Sequence, residues 1–299
     1  MFKKILLIIL SITILTTPIK AENIDNLQSV ELPILMYHFL NENKGEHFIS
    51  PDEFEQDLIF LKENGFNTIG ISDLIAFVYD NEPLPDNPVM LTFDDGYYNN
   101  YVYGFPLLKE YNKKAVISII GDHTDIWSDN FYEDLKHGHI TWNHIREMRE
   151  SGLVEIGNHT YAMHQNRHGR RGCTRKDGES LLDYQRIFGR DINRLQNRVF
   201  EECGFSPDVF AFPYHAICTD AIEVLKILGF RAAFTGAQIA AGIPNTITPG
   251  DINGLFDLRR VNRSRLRCAE KILTPQAIEV PTEMLTPEET EEWLQQVLE

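Results

Sequence analysis

Short apolar runs alternate with amphipathic stretches along most of this chain, and that order constrains the fold more than any other feature. Pro33-Ile34-Leu35-Met36-Tyr37 reads as a buried strand that ends on His38. Asp52 to Asn64 then places Phe54, Leu58 and Leu61 on one helical face, with Gly65 as a stop. Strands are expected at Asn67 to Ile71, Val89 to Phe93, Ala115 to Ile120, Leu153 to Ile156, Val209 to Phe212, Ala232 to Thr235 and Leu255 to Leu258. Helices are expected at Ser72 to Tyr79, Thr141 to Glu150, Glu179 to Glu202 and Asp220 to Leu228, and Pro83 to Pro88 is a link. In the longest helix Leu181, Tyr184, Phe188, Ile192, Leu195 and Val199 recur every three or four positions, which is the stripe of a core-facing helix rather than a cofactor site. Repeated β-then-α order predicts an α/β fold, a distorted (β/α) barrel of about seven parallel strands in one domain over residues 31–268.

Composition sets the class of partner. The 299 residues carry 28 Lys+Arg against 44 Asp+Glu, a formal charge of −16, which argues against electrostatic nucleic-acid binding. Residues 1–21 read as a secretory signal, with Lys3 and Lys4 before the apolar stretch Ile5 to Leu15 and Ala21 before Glu22. That stretch is shorter than the about 20 residues that span a bilayer, so no stable membrane span is expected after cleavage, with an uncleaved anchor as the competing reading. The expectation is a secreted protein, periplasmic or extracellular, with a polar linker over 22–30. Cys173, Cys203, Cys218 and Cys268 allow three disulfide connectivities, among which the sequence does not choose. Residues 269–299 form an acidic tail in which Thr286-Pro287-Glu288-Glu289 starts a helix; Trp293, Leu294, Val297 and Leu298 would dock it, and a mobile tail is the competing reading.

Two motifs carry chemistry. Thr92-Phe93-Asp94-Asp95-Gly96 puts two carboxylates at the end of a buried strand, where Gly96 permits a sharp turn. Adjacent strand residues point to opposite faces, so both carboxylates converge only if the chain bends there. His159-Thr160-Tyr161-Ala162-Met163-His164 follows the strand Leu153 to Ile156 and places two imidazoles at another strand end; a spacing of five requires a loop or distorted turn to bring them together. With Asp95 they make a two-histidine, one-carboxylate set suited to zinc or a similar divalent ion with an open position for water. Each motif alone also fits a solvated turn. His123, His137, His139 and His144 read as surface residues, His168 and His215 as solvated loop positions, and Arg167, Arg170, Arg171, Arg175 and Lys176 as a solvated basic excursion.

Together the two motifs resemble the NodB-type polysaccharide deacetylases, the fourth carbohydrate esterase family, over about Glu31 to Arg263. The resemblance implies a single catalytic domain with Asp94 as general base, Asp95, His159 and His164 as metal ligands, and Thr160 as a loop brace. Ala211-Phe212-Pro213-Tyr214 resembles the family's Pro-Tyr motif, which implies the Tyr214 backbone N–H as an oxyanion donor. Two departures follow. The family's arginine two residues before that proline is replaced by Ala211, and Arg260 from a neighbouring strand is the candidate substitute, though a solvated or carboxylate-paired arginine fits equally. No histidine follows His215, so His38 is the candidate general acid, as in the circularly rearranged exopolysaccharide deacetylases. The implied substrate is a polysaccharide containing N-acetylglucosamine, and a catalytically silent glycan-binding protein is the alternative.

Overall fold

The computed structural model describes residues 27–42, 45, 47–236 and 244–274. The expected signal segment and the tail helix beginning at Thr286 lie outside the described residues. Among those described, no helix is long and apolar enough to cross a membrane.

Eight parallel segments form a nearly closed barrel: β1 (Ile34–Tyr37), β2 (Pro88–Phe93), β3 (Ala115–Ile119), β4 (Val154–Asn158), β5 (Val209–Ala211), β6 (Ala232–Thr235), β7 (Leu258–Arg259) and β8 (Val261–Asn262). Their order around the sheet is β7-β6-β5-β4-β3-β2-β1-β8, with Asn67–Thr68 added beside the start of β2. β7 and β8 are one extended stretch interrupted at Arg260. The first half pairs with β6 and the second with β1, so the last stretch of barrel chain meets the first. Counted as one strand, they give the seven that the sequence predicts. The expected strand at Leu255 to Leu258 lies too early: Gly254–Phe256 is a 3-10 turn that packs Leu255 and Phe256 into the core, and extended pairing begins only at Leu258.

Helices cover the strands: α1 (Pro51–Glu63), α2 (Ile71–Asp80), α3 (Phe105–Tyr111), α4 (Gly121–Asp129), α5 (Trp142–Glu150), α6 (Leu181–Cys203), α7 (Thr219–Ile227) and α8 (Ala269–Leu273). Local chemistry sets their ends. Ser50 caps α1 in a reciprocal box with Glu53, and Pro51 occupies its first turn. Ser180 caps α6, which stops at Gly204 with φ +78°. The α6 stripe is buried from Tyr184 through Phe188, Ile192 and Leu195 to Val199, but Leu181 at its first turn is exposed, against expectation, because it precedes the region covered by the sheet. α3 and α4 were not expected, since each is short and lacks a long apolar period.

Every residue of β2 is buried, and its side chains divide between two layers: Val89, Leu91 and Phe93 join one apolar cluster, Met90 another. Removing water from apolar surface at about 25 cal/mol per Å² drives this packing. α8 docks on α1, where the Ala269 N–H donates to Asp57 Oδ1 at 3.0 Å. A cavity of about 280 Å³, lined by Glu31, Pro88, Asn245 and Arg259 among others, opens at the N-terminal ends of the strands. The residues of the two motifs lie at the other end.

Candidate active site

Asp94 and Asp95 leave β2 on a backbone that bends as the carboxylate pair requires. Asp95 has φ +70° and Gly96 φ +68°, both left-handed. Aspartate tolerates that region better than most residues, and at Gly96 an added Cβ would meet Ile119 Cγ2 at 3.1 Å as well as an unfavourable φ. The bend turns both carboxylates inward, where Asp94 is 3% and Asp95 7% exposed.

Arg260, at the break between β7 and β8, meets Asp94 in a bidentate pair, Nη1 to Oδ1 at 2.7 Å and Nη2 to Oδ2 at 2.8 Å. Burial alone would raise the Asp94 pKa. The charge and hydrogen bonds of Arg260, with His159 nearby, outweigh it and hold the carboxylate ionised well below its usual range. The guanidinium thus occupies the side of Asp94 that Ala211, at the motif position, cannot reach.

Asp95, His159 and His164 present ligand atoms within 4.8 Å of one another, among the described residues the one such group of three or more. Asp95 Oδ1 lies 3.5 Å from His159 Nε2 and 3.2 Å from His164 Nε2. Three observations fit this set to a divalent cation. Asp95 Oδ1 is buried without a hydrogen bond. His159 Nδ1 is 2.8 Å from the Ala211 carbonyl; a carbonyl only accepts, so Nδ1 carries a proton and Nε2 is the ring nitrogen left facing Asp95 for a cation. Burial, with His159 beside it, lowers the His164 pKa to about 4, which leaves that imidazole a lone-pair donor at neutral pH. Burial raises the Asp95 pKa, but the two imidazoles reverse the shift and keep it an anion.

The loop between the histidines is held from several sides. Thr160, at φ +77°, braces it through its backbone: its N–H donates to Asn158 Oδ1 at 2.9 Å and its carbonyl accepts from Gly121 at 3.1 Å. The Thr160 hydroxyl, expected to be the brace, is buried and has no hydrogen-bond partner among the described residues. Asp191 of α6 accepts the Tyr161 N–H at 2.8 Å and the Ala162 N–H at 3.0 Å, one on each oxygen.

His38 follows β1 and lies within electrostatic reach of Asp94 and Asp95, with the His47 ring 4.5 Å away. Burial lowers its pKa to about 4 despite those carboxylates. Pro213-Tyr214-His215 forms a tight turn with Tyr214 at φ +56° and His215 at φ +55°, and the Tyr214 ring packs 4.5 Å from His164.

One histidine read as a surface residue is buried, and one read as a solvated loop position is half-buried. His139 is 7% exposed and its Nδ1 lies 3.0 Å from the Asp95 carbonyl oxygen, a contact set by the bridge between Tyr97 and His139. His215 packs against Gly236, where an added Cβ would fall 1.5 Å from its Nδ1. The basic excursion is largely tied down: Arg170 pairs with Glu179, Arg175 with Asp220, and Arg171 donates to the Tyr214 carbonyl. His47, Tyr97 and Asp191 were not singled out from sequence. Tyr97 directly follows the Asp-Asp-Gly turn, which was the one local signal available. Burial, together with the nearby Asp95 anion, raises its pKa.

The barrel mouth thus gathers a buried carboxylate beside an Asp-His-His set that could hold a metal ion. The chain belongs to the polysaccharide deacetylase family, whose model matches residues 81–233. It is 27% identical over 231 residues to a poly-beta-1,6-N-acetyl-D-glucosamine N-deacetylase of Escherichia coli (strain K12), an alignment that covers 69% of this chain and 33% of that protein. The chain therefore spans about a third of that relative's length. A solved de-N-acetylase from Aggregatibacter actinomycetemcomitans superposes with TM-score 0.66 at 25% identity, covering 78% of this chain and 94% of that one. IcaB from Ammonifex degensii gives TM-score 0.65 at 25% identity over 80% and 94%.

Proposed function

We propose that this chain is an exported, metal-dependent polysaccharide N-deacetylase that removes acetyl groups from an N-acetylglucosamine-containing glycan and releases acetate. The observation that supports this most is the convergence of Asp94, Asp95, His159 and His164, from two distant stretches of sequence, into one buried cluster. The named activities of the Escherichia coli and Aggregatibacter relatives support the amide bond and the sugar.

Asp95, His159 and His164 would hold the cation, with zinc the best match to two imidazoles and one carboxylate. When bound, it supplies Lewis acidity, which brings the pKa of a coordinated water to about 7 and polarises a carbonyl. The chain's own groups do the rest. Asp94, kept ionised and oriented by Arg260, takes the proton of the attacking water. The Tyr214 N–H stabilises the tetrahedral oxyanion, with Pro213 fixing the turn that presents it. His38 donates a proton to the departing amine. Its pKa of about 4 makes it neutral at rest, so it would first take a proton from solvent as negative charge builds beside Asp94 and Asp95 during attack, and then pass that proton to the amine. The glycan is left with an ammonium group, and the acidic character of the protein suits a polymer that gains positive charge.

The test is acetate release from β-1,4- and β-1,6-linked N-acetylglucosamine oligomers, before and after chelation and with zinc returned. Release that stops with chelator and recovers with zinc is expected. Undiminished release from chelated, metal-free protein would remove the metal from the reading, and silence on every oligomer would remove the reaction.

A further inference from the structure

The basic excursion after the metal loop runs back over the Pro213-Tyr214-His215 turn, and the two segments meet at both ends. Arg171 Nη2 donates to the Tyr214 carbonyl at 3.1 Å, and at Gly172 an added Cβ would fall 3.1 Å from Pro213 Cβ and 3.2 Å from its carbonyl oxygen. Further on, Arg175 Nε lies 3.1 Å from Asp220 Oδ2. These contacts bracket Cys173 on one segment and Cys218 on the other. Both are free thiols in this structure, 0% and 9% exposed, in one apolar cluster with Met163, Tyr184 and Phe212. The Tyr184 hydroxyl donates to the Cys173 carbonyl at 2.8 Å and has both thiol groups within electrostatic reach. The other two cysteines lie elsewhere: Cys203 closes α6 beside Arg146 of α5, and Cys268 precedes α8, which packs on α1.

We propose that Cys173 and Cys218 are joined by a disulfide in the exported protein, fastening the basic excursion to the turn that carries Tyr214. The part that turn plays in catalysis rests on the deacetylase reading above, whereas the bond itself does not. Of the three connectivities open in the sequence, the one that contains this bridge joins thiols already sharing a cluster. The oxidant is a disulfide-bearing compound or protein. The thiolate of one cysteine attacks a sulfur of that oxidant, breaking its S–S bond and forming a mixed disulfide, and the second thiolate then displaces the oxidant's sulfur. The two cysteines lose two electrons and two protons, and the oxidant leaves reduced, as two thiols. Burial, with Cys218 beside it, raises the Cys173 pKa, so little thiolate forms once the cluster has closed; the exchange belongs to folding, and the same packing then shields the bond from reductant. The loop it closes contains all of α6 and β5, which restricts the unfolded chain.

The full chain is unfolded in urea with reductant and refolded in a buffer of oxidised and reduced glutathione. Free thiols are blocked with iodoacetamide, and the folded fraction is digested with trypsin and chymotrypsin. The expected products are blocked Cys203 and Cys268 and a peptide of Cys173 linked to one of Cys218, lighter by two hydrogens than the two reduced peptides together. Four blocked cysteines, a glutathione adduct on Cys173, or Cys173 linked to Cys203 or Cys268 overturns the proposal. Urea titration then compares the oxidised with the reduced chain. The folding equilibrium constant is expected to fall roughly 10²-fold on reduction, and equal midpoints would show that the bond fastens nothing, which overturns the proposal too. A linked peptide in a chain that releases no acetate from N-acetylglucosamine oligomers removes the deacetylase reading and leaves the disulfide standing; acetate release with four blocked cysteines does the reverse.

Discussion

Two buried arginine–carboxylate pairs lie three residues apart on the strand that closes the barrel. Arg263 grips Asp57 of α1 through Nε at 2.6 Å and Nη2 at 3.1 Å, and Arg260 grips Asp94 at 2.7 and 2.8 Å. All four residues are less than 5% exposed. The difference lies in what else each carboxylate meets. Asp57 also accepts the Tyr37 hydroxyl at 3.1 Å and the Ala269 N–H at 3.0 Å, so its lone pairs are spent on holding α1, α8 and the barrel together. Asp94 instead borders His159 and His38. The same ion pair joins elements in one place and borders a candidate site in the other, according to whether the second side of the carboxylate is closed by donors or left facing imidazoles.

Substitution separates the two roles. Asp94→Asn should lower acetate release the most, by about 10²–10⁴-fold, the usual worth of a general base, while zinc affinity measured by chelator competition stays near that of the unaltered chain. Turnover within twofold of normal would show that Asp94 is no base and erase the contrast. Asp57→Asn should act in the opposite sense: unfolding free energy from urea titration falls by roughly 3–5 kcal/mol, because Arg263 is left buried without its anion, while the folded fraction keeps its kcat. A variant of full stability but lost turnover would mean that the Asp57 pair belongs to the site after all. Asp191→Asn tests an intermediate case, a carboxylate that shapes the metal loop without meeting substrate. Zinc affinity is expected to drop about 10–100-fold, the scale typical of groups that orient ligands, and an unaltered binding isotherm would reduce Asp191 to a helix-surface residue.

The strand-helix alternation was legible because apolar runs such as Val89 to Phe93 and the α6 stripe are long enough to show their period. Asp94, Asp95, His159 and His164 were legible because each pair is compact in sequence and ends a strand. What escaped was set by partners distant along the chain. His139 reads as one polar residue among others between Leu135 and Ile140, and only its bridge to Tyr97 buries it. Asp191 sits on the polar side of a helical period, so nothing local shows that a loop thirty residues earlier will place two N–H groups on its oxygens. The left-handed backbone of Thr160 is likewise not written in the residue itself. Arg260 was legible as a residue in search of a partner, but its place at the break between two half-strands came only with barrel closure.

That closure has a consequence for biosynthesis. A ribosome delivers His38 early, the aspartates and imidazoles next, and the guanidinium that orients Asp94 only when translation has passed residue 260. A nascent chain therefore carries Asp94 without its guanidinium partner through most of elongation, and the pair forms in one late event, when the final half-strand docks beside the first.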